Sequence, residues 1–559
     1  MATESVATAT RPEDVGLRRE MGLVGAIWAS ETSIIGSGWL FGALFAVQAA
    51  GTAALLGWVL AGIAVIILAL VHAELGGMYP VSGGTARFPH FAFGSIAGIS
   101  FGFFSWLQAV TVAPIECFAV MQYGSYYWHG LFNPLANGGT GHGNVTHLGF
   151  LMTIILMAIF TVINFLGMRL FSRVNSGITW WKVAVPVLTI IVLLFKMHPN
   201  NFGAGGGFMP YGVKALFGAI PSAGIVFAYL GFEQADQLAG EIKDPQRNLP
   251  RAIITAILIG VVIYVMLQVV FIGAIPHSLI SGPKGWAGLP PTSPIVIGPF
   301  AGLAGVVGLS WLALILRIDA FVSPFGTGLI YVTSTSRVGY GLARNRYYPQ
   351  VFQRTDARGV PWISLIFAFI FGLVFLLPFP SWHSLVSLVT GASVLMYAGA
   401  PLSMGAFRRQ VPEASRPYRV PGAAVMGPVA FAIANLLIYW SGLETVWKLG
   451  ICLVIGYVLI GVCMAFDPQR PPLDWKSAQW LPVYLIGMGI ISWLGQFSGG
   501  AVAAPVNTNR IPFWWDMVVV AAFSLIIYYW AQATKLPREE MLNLVERQSG
   551  EHAEPLPGH

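Results

Sequence analysis

Long apolar runs recur along this chain, and most of them are long enough to cross a lipid bilayer as a helix. A membrane-spanning helix needs about 20 consecutive apolar residues. Only 9% of the 559 residues are charged, whereas roughly a quarter are charged in a typical soluble chain. Short alternating segments, which would indicate a β-barrel, are not seen in the sequence. The sequence therefore predicts an all-α polytopic membrane protein.

We count fourteen apolar segments, and the basic residues between them predict the orientation of the chain. The segments lie near residues 22–49, 52–78, 95–128, 147–167, 176–196, 213–240, 251–275, 304–336, 360–379, 384–406, 425–446, 450–466, 481–497 and 512–533. An even number of spans puts both termini on one side, which carries 23 of the 30 lysine and arginine residues against 5 on the other. Basic loops face the cytoplasm, so we expect a plasma (inner) membrane protein with cytoplasmic termini. These cations then face anionic lipid, and their pattern does not indicate a nucleic-acid partner.

Two of the apolar segments carry features that a simple spanning helix would avoid. The first segment contains Gly36–Gly38, and the sixth contains Gly231 followed closely by Glu233 and Asp236. Small residues alone can serve close helix packing in a membrane. Here the two interruptions begin two blocks of five segments each, and interruptions at corresponding positions of two halves indicate a transporter with inverted repeats.

The backbone chemistry of such interruptions suits a zwitterionic ligand. Unwinding a helix inside a membrane frees N–H and C=O groups that must find partners there. Near Gly36–Trp39 the freed N–H groups begin a new half-helix, whose positive end favours a carboxylate. Near Phe227–Gly231 the freed carbonyls can accept hydrogen bonds from an ammonium group, and glycine lets a ligand approach the backbone closely.

Four motifs, in this order, resemble the amino-acid permeases of the amino acid–polyamine–organocation superfamily. They are IIGSGWLFG (34–42), YPVSGGTARF (79–88), GFEQADQLAGEIKDPQRNLPRAI (231–253) and TSRVGYGLARNRYYPQVF (335–352). The resemblance implies a leucine-transporter-type 5+5 inverted repeat with helices 1 and 6 discontinuous. We expect a cytoplasmic tail over 1–20, repeats over 21–200 and 210–410, four additional transmembrane helices over 420–534, and a cytoplasmic tail over 535–559. Fourteen spans and Trp39 are similar to the bacterial aspartate–proton symporters.

The resemblance also implies which residues bind the substrate. The carboxylate is expected at the first interruption and the amine at the second, while two residues of the eighth span line the side-chain pocket. These expected substrate-binding residues are Ile35, Gly36, Ser37, Gly38, Trp39, Phe227, Ala228, Tyr229, Leu230, Gly231, Thr327 and Tyr331. Phe227 falls where relatives place an aromatic lid. Ordinary core packing is the alternative for Phe227 and Tyr331.

Four ionisable residues inside the spans are candidates for proton coupling or gating, because each costs roughly 2.5–3.5 kcal/mol to insert. Lys182 falls where proton-coupled relatives carry a lysine, although it could instead snorkel to the membrane surface. Glu31 could pair with Lys182 or carry the proton itself, or form a purely structural pair. Glu233 matches the acid that follows the second interruption in the family and is a candidate gate or proton site. Asp319 completes the set because it shares a helical stripe with Thr327.

Arg317 lies within the same span as Asp319 but points nearly to the opposite side of the helix. It would therefore suit a carboxylate from another span, such as Glu116. A second reading is that its planar guanidinium group helps to hold a second carboxylate of the substrate.

These features predict a secondary active amino-acid transporter that is a proton-coupled symporter and works by alternating access. Its partners would be a small amino-acid substrate, protons and the lipid bilayer, with aspartate or another acidic or small neutral amino acid as the best candidate. An amino-acid or amino-acid/polyamine exchanger is the alternative, and a channel or a transporter-like sensor is the alternative from another class. The sequence shows no nucleotide-binding loop, metal-ligand spacing or nucleophilic triad, so we expect no cofactor, no metal and no enzymatic activity.

Overall fold

The computed structural model describes residues 19–136, 143–166, 168–282, 284–497 and 509–549, without the side chains of 168–176 and 548–549. Residues 1–18 and 550–559 of the two expected cytoplasmic tails lie outside these residues. Within them the chain forms 22 α-helices and one short antiparallel pair of strands, β1 (Phe132–Asn133) and β2 (Asn144–Val145). The first seven helices are α1 (Leu23–Ile34), α2 (Ser37–Ala50), α3 (Ala54–Met78), α4 (Gly84–Phe93), α5 (Ser95–Gly124), α6 (His147–Phe165) and α7 (Met168–Leu194).

The remaining helices fall into a middle group and a last group. The middle group consists of α8 (Gly212–Ser222), α9 (Ile225–Ala228), α10 (Gln234–Gln237), α11 (Pro245–Ala274), α12 (Pro294–Ile297), α13 (Pro299–Val306), α14 (Ser310–Arg344), α15 (Trp362–Leu376) and α16 (Trp382–Gln410). The last group consists of α17 (Ala423–Trp440), α18 (Gly442–Ala465), α19 (Trp475–Ala478), α20 (Trp480–Leu494), α21 (Trp515–Thr534) and α22 (Arg538–Ser549). Short 3₁₀ turns lie at Gly51–Ala53, Pro199–Gly203, Ala239–Glu241, His277–Leu279, Gly285–Gly288 and Gln350–Gln353.

Eleven helical stretches in the described part of the chain are long and apolar enough to cross a bilayer. The chain is therefore a multi-pass membrane protein. The number is smaller than the fourteen apolar segments because three segments contain shorter helices. In the first segment α1 has 12 residues and α2 runs on toward α3, while the sixth and ninth segments contain the shorter apolar helices Gly212–Ala228 and Trp362–Leu376.

The first and sixth apolar segments are each interrupted in the middle. Helix α1 ends at Ile34 and α2 begins at Ser37, so two residues separate the helices. In the sixth segment α8, α9 and α10 follow one another as separate short helices, with Gly224 at φ +86° and Gly231 at φ +119° between them. Backbone at such positive φ angles is readily adopted only by glycine, so these two residues permit the chain to leave the helical path there.

The interrupted helices lie in the interior of the bundle. Helix α1 packs against α7, α11 and α14, whereas α2 packs against α8 and α9. The most apolar stretch of α5 is wholly buried inside the protein, and the corresponding stretch of α16 is almost wholly buried. In α18 only 28% of this stretch is buried. Helices α5 and α16 therefore lie at the centre, and α18 presents most of its surface to the surroundings of the protein. The site described next is built where α1, α2, α5, α9 and α14 meet.

Candidate functional site

The two interruptions lie directly against each other. A Cβ atom added to Gly38 would lie 2.7 Å from the Cα atom of Ala228, and one added to Gly231 would lie 2.8 Å from the backbone nitrogen of Ile34. Both distances are shorter than real Cβ contacts, so any side chain at either glycine would push the two segments apart. The glycines thus bring the backbone of the first segment against the backbone of the sixth.

A small cavity lies at this meeting point, and its open space is about that of a single water molecule. An amino acid is larger than this space, so the groups around the cavity must move to admit one. The cavity is lined by Ser33, Ile34, Gly36, Gly38, Val112, Glu116, Phe227, Leu230, Thr327 and Tyr331. Six of these ten are among the substrate-binding residues that the sequence predicts.

Four residues that line the cavity are absent from that prediction. Ser33 and Ile34 come just before the first interruption, so a slightly wider window around it would have included them. Val112 and Glu116 are four residues apart on α5 and therefore share one face of that helix. The signal for this face was Glu116 itself, because it is the one acidic residue in an otherwise apolar span.

The other predicted substrate-binding residues are buried beside the cavity without lining it. Ile35 lies at the interruption, Ala228 packs against Gly38, and Gly231 packs against Ser33. The Trp39 ring packs against Phe300, with their ring centres 5.4 Å apart.

Tyr229 and Ser37 have specific hydrogen-bond partners. The Tyr229 hydroxyl donates a hydrogen bond to the backbone carbonyl of Trp58 at 3.0 Å. The Ser37 hydroxyl accepts a hydrogen bond from the indole N–H of Trp382 at 2.7 Å and donates one to Glu116, which lines the cavity. Tyr229 and Ser37 therefore support the interrupted segments beside the cavity without lining it.

The N-terminus of α2 is bound by a carboxylate of the protein itself. Glu116 accepts a hydrogen bond from the backbone N–H of Ser37 at 2.8 Å and another from the Ser37 hydroxyl at 2.9 Å. The suggested pairing of Glu116 with Arg317 is therefore wrong. The guanidinium group of Arg317 instead lies over the ring of Tyr126, 3.7 Å from its centre. Tyr126 follows the end of α5, about three helical turns beyond Glu116.

Lys182 links three of the helices around the cavity. Its Nζ atom donates hydrogen bonds to the backbone carbonyl of Thr32 at 2.6 Å and to the Thr327 hydroxyl at 2.8 Å. Thr327 in turn donates to the same Thr32 carbonyl at 2.7 Å. Lys182 is 0% exposed, so the alternative in which it snorkels to the membrane surface is wrong. The ammonium group binds a carbonyl that belongs to the last turn of α1, just before the interruption.

Glu31 and Asp319 are two further buried carboxylates that interact with the charge of Lys182. No hydrogen-bond donor for either carboxylate oxygen of Glu31 is found among the residues that the structure describes. The suggested close pair of Glu31 with Lys182 is not formed, because the hydrogen bonds of Lys182 go to Thr32 and Thr327. Asp319 accepts hydrogen bonds from the Ser323 hydroxyl, which lies 2.9 Å from each of its oxygens.

Glu233 stabilises the second interruption from within. Its carboxylate accepts hydrogen bonds from the backbone N–H of Gly231 at 2.9 Å and from the Tyr397 hydroxyl at 2.6 Å. The Gln108 side chain donates to it as well, at 3.2 Å. Glu233 therefore satisfies a backbone group that the break in the helix leaves free, as a low-dielectric interior requires.

The described residues contain no group of three or more His, Cys, Asp and Glu side chains placed to hold a metal ion. The polar side chains that line the cavity are Ser33, Glu116, Thr327 and Tyr331, and the N-terminus of α2 and the ammonium group of Lys182 lie beside it.

Interrupted helices that meet around a small cavity inside a multi-pass membrane protein are typical of transporters. The chain belongs to the amino acid permease family, whose model matches residues 21–460. It is thus a transporter and not an enzyme, and the family resemblance seen in its motifs is confirmed.

Three relatives show the range of proteins that this chain is similar to. It is 36% identical to the glutamate/serine transporter AimA of Bacillus subtilis (strain 168), over 92% of this chain and 94% of the relative. It is 35% identical to the aspartate-proton symporter of the same organism, over 93% of this chain and 97% of the relative. The branched-chain amino acid permease BcaP of that organism is 25% identical over 79% of this chain.

Proposed function

We propose that this chain is a proton-coupled symporter that moves an acidic amino acid across the cell membrane by alternating access. In this proposal the interrupted segments are the discontinuous helices 1 and 6 of a 5+5 inverted repeat within a fourteen-span protein, and both termini are cytoplasmic. The observation that carries the proposal is the small cavity between the two interruptions, which has the N-terminus of α2 on one wall and Lys182 close behind another.

The cavity offers complementary partners for the two charged groups of a free amino acid. The backbone N–H of Ser37 begins α2 and favours a carboxylate. The carbonyls freed around Phe227–Gly231 accept hydrogen bonds from an ammonium group. Thr327 and Tyr331 then face the side chain of the substrate, and the Phe227 ring covers it. The glycines at 36 and 38 leave space for the substrate at the backbone.

Lys182 is the proposed link between the proton and the conformational change. Its ammonium group holds the last turn of α1 against α14 through the Thr32 carbonyl and the Thr327 hydroxyl. A hydrogen bond from a charged donor is about twice as strong as a neutral one. Loss of the proton from Lys182 therefore weakens this clamp and favours movement of α1 relative to α14.

The buried carboxylates near Lys182 supply the remaining proton-binding capacity. Glu31, Glu116 and Asp319 all interact with this one cation. Uncompensated buried charge is costly, so a site with three carboxylates and one ammonium group is suited to taking up protons. Protons carried with the substrate also offset the negative charge that an acidic amino acid would bring into the membrane.

The relatives and Arg317 both support an acidic substrate, with aspartate as the best candidate. The two relatives at 35–36% identity are named for aspartate and for glutamate and serine. Arg317 has a ring contact with Tyr126 but no carboxylate partner among the described residues. It borders a second small cavity together with Tyr123 and Tyr126. Because it lies about 15 Å along α14 from Thr327, it would attract an anionic substrate before that substrate reaches the first cavity.

Transport by purified protein in liposomes tests the proposed function. With a pH gradient, acid on the side of entry, we expect concentrative uptake of labelled aspartate. Unlabelled aspartate, glutamate and serine should be tested as competitors alongside alanine, arginine and putrescine. Competition by arginine or putrescine but not by aspartate would overturn the acidic assignment. Uptake that needs an internal amino acid and ignores the pH gradient would instead show an exchanger.

Replacement of Arg317 tests how the transporter selects an acidic substrate. For Arg317→Gln we expect the KM for aspartate to rise roughly tenfold at low ionic strength and less at high salt, because a charge about 15 Å from the cavity steers an anion toward it without bonding to the bound substrate. The KM for serine or alanine should stay near that of the unaltered protein, since these substrates have no second carboxylate. Arg317→Lys is the matched variant and should recover part of the affinity for aspartate. An equal loss for all three substrates would show that Arg317 is only structural.

A further inference from the structure

The place proposed for the carboxylate of the substrate is already filled by a carboxylate of the protein. Glu116 lies at the N-terminus of α2 and accepts both hydrogen bonds that Ser37 can donate there, one from the backbone and one from the hydroxyl. Glu116 is 1% exposed and lines the same cavity as Gly36 and Gly38. It reaches this place from α5, a helix that is not one of the interrupted ones.

This place has room for one carboxylate only. A Cβ atom at Gly36 would already lie 2.8 Å from Glu116 Oε1 and 2.7 Å from Thr327 Oγ1. Glu116 already takes the first backbone N–H group of α2 and the Ser37 hydroxyl, which are the donors next to Gly36. Two carboxylates held close together in a buried site also repel each other strongly. A substrate carboxylate can bind at α2 only if Glu116 moves away from it.

We propose that Glu116 is a built-in competitor of the substrate carboxylate, and that the substrate displaces it only when Glu116 takes up a proton. This inference rests on the proposed function, since it concerns the same cavity. The proton comes from water on the side from which the substrate enters, and it bonds to a carboxylate oxygen of Glu116. It leaves on the opposite side, when the substrate has gone and the ionised Glu116 binds Ser37 again. Glu116 thus takes up one proton for each substrate molecule that binds, separately from the proton that Lys182 releases in the conformational change.

The other ionisable groups around Glu116 fit this exchange. Lys182 on α7 is the cation that interacts with it, while Tyr264 on α11, Tyr331 on α14 and its neighbour Cys117 interact with it as well. Lys182 also interacts with Glu31 on α1 and Asp319 on α14. When the substrate binds, its carboxylate takes the place of the ionised Glu116 at α2, and Glu116 becomes neutral. The number of negative charges at this place near Lys182 stays the same. The site therefore avoids the cost of adding a buried charge.

Calorimetry of substrate binding in buffers that differ in ionisation enthalpy measures the protons taken up per substrate bound. For the unaltered protein we expect about one proton taken up, with an affinity that falls up to about tenfold per pH unit at alkaline pH. Glu116→Gln imitates the protonated carboxyl group, so binding should take up no proton and should lose most of its dependence on pH. Uptake of a full proton by Glu116→Gln would overturn the inference and make Glu116 a structural ligand of α2.

Asp516→Asn is the matched control, because Asp516 is another fully buried carboxylate that accepts a hydrogen bond, from Tyr439, but lies in α21 away from the cavity. It should keep the proton uptake of the unaltered protein.

If Glu116→Gln does not fold, infrared difference spectra of the unaltered protein decide whether Glu116 takes up a proton. Addition of substrate should produce the carbonyl stretch of a newly protonated carboxyl group, and no such band would contradict the inference. Failure of every amino acid to bind the unaltered protein would instead refute the proposed function.

Discussion

Gly36→Leu and Gly38→Leu are expected to reduce uptake to background while the protein still reaches the membrane. The Cβ atom at residue 36 would lie 2.7 Å from the Thr327 hydroxyl, and the one at residue 38 would lie 2.7 Å from the Cα atom of Ala228. Overpacking of this kind costs about 1–3 kcal/mol of folding stability, which is less than the roughly 5–15 kcal/mol of a typical native protein. The rest of the leucine side chain would occupy the cavity itself, so substrate binding should be blocked.

Binding of labelled substrate to purified protein, together with uptake into liposomes, measures this effect. Gly461→Leu is a suitable control, because Gly461 on α18 is exposed and has no atom within 4 Å of an added Cβ. That variant should bind and transport as the unaltered protein does. Near-normal affinity in both cavity variants would mean that the substrate does not bind at the first interruption.

Lys182→Gln is expected to abolish accumulation of substrate against its gradient while leaving exchange of substrate across the membrane largely intact. Glutamine can still donate hydrogen bonds toward Thr32 and Thr327, but it carries no charge and releases no proton. With a pH difference of one unit, the unaltered protein should concentrate substrate about tenfold per coupled proton. Net uptake by the variant should stop when the substrate concentrations on the two sides of the membrane are equal.

The comparison of driven uptake with counterflow in the same liposomes separates coupling from binding. Lys182→Ala should show the same loss of coupling with a larger loss of stability, because Glu31, Glu116 and Asp319 would then lack their nearby cation. Lys448→Ala, which removes a half-buried lysine paired with Glu444 on α18, is the control for loss of a lysine elsewhere. Continued accumulation by Lys182→Gln under a pH gradient would show that Lys182 only packs the helices.

The membrane character of the protein and the location of its candidate site could be predicted because both depend on local features. Apolar length decides whether a segment can span a bilayer, and glycine decides where a buried backbone can leave the helical path. Gly36, Gly38 and Gly231 are visible in the sequence without knowledge of any neighbour. Four of the six predicted residues that line the cavity lie at these interruptions, while Thr327 and Tyr331 were predicted from the family resemblance. The role of all six in substrate binding remains a prediction.

The partners of the buried charges could not be predicted, because they depend on how distant helices rotate against one another. Helical geometry gave the direction of Arg317 on its own helix, but it could not show that Tyr126 lies within reach. From the sequence alone, a lysine near the start of a span, such as Lys182, could equally lie at the membrane surface. Only the packing of α1 and α14 around it shows that its Nζ atom binds the Thr32 carbonyl and the Thr327 hydroxyl.

Glu116 shows this division most clearly. The sequence by itself determined that a glutamate stands alone in an apolar span and that the first interruption exposes a helix N-terminus. The tertiary structure alone decided that the two meet, with the carboxylate 2.8 Å from the backbone N–H of Ser37. The two residues are 79 positions apart, and no local pattern encodes such a contact. It forms because α5 packs beside the start of α2, and that packing is set by the shapes of many side chains together.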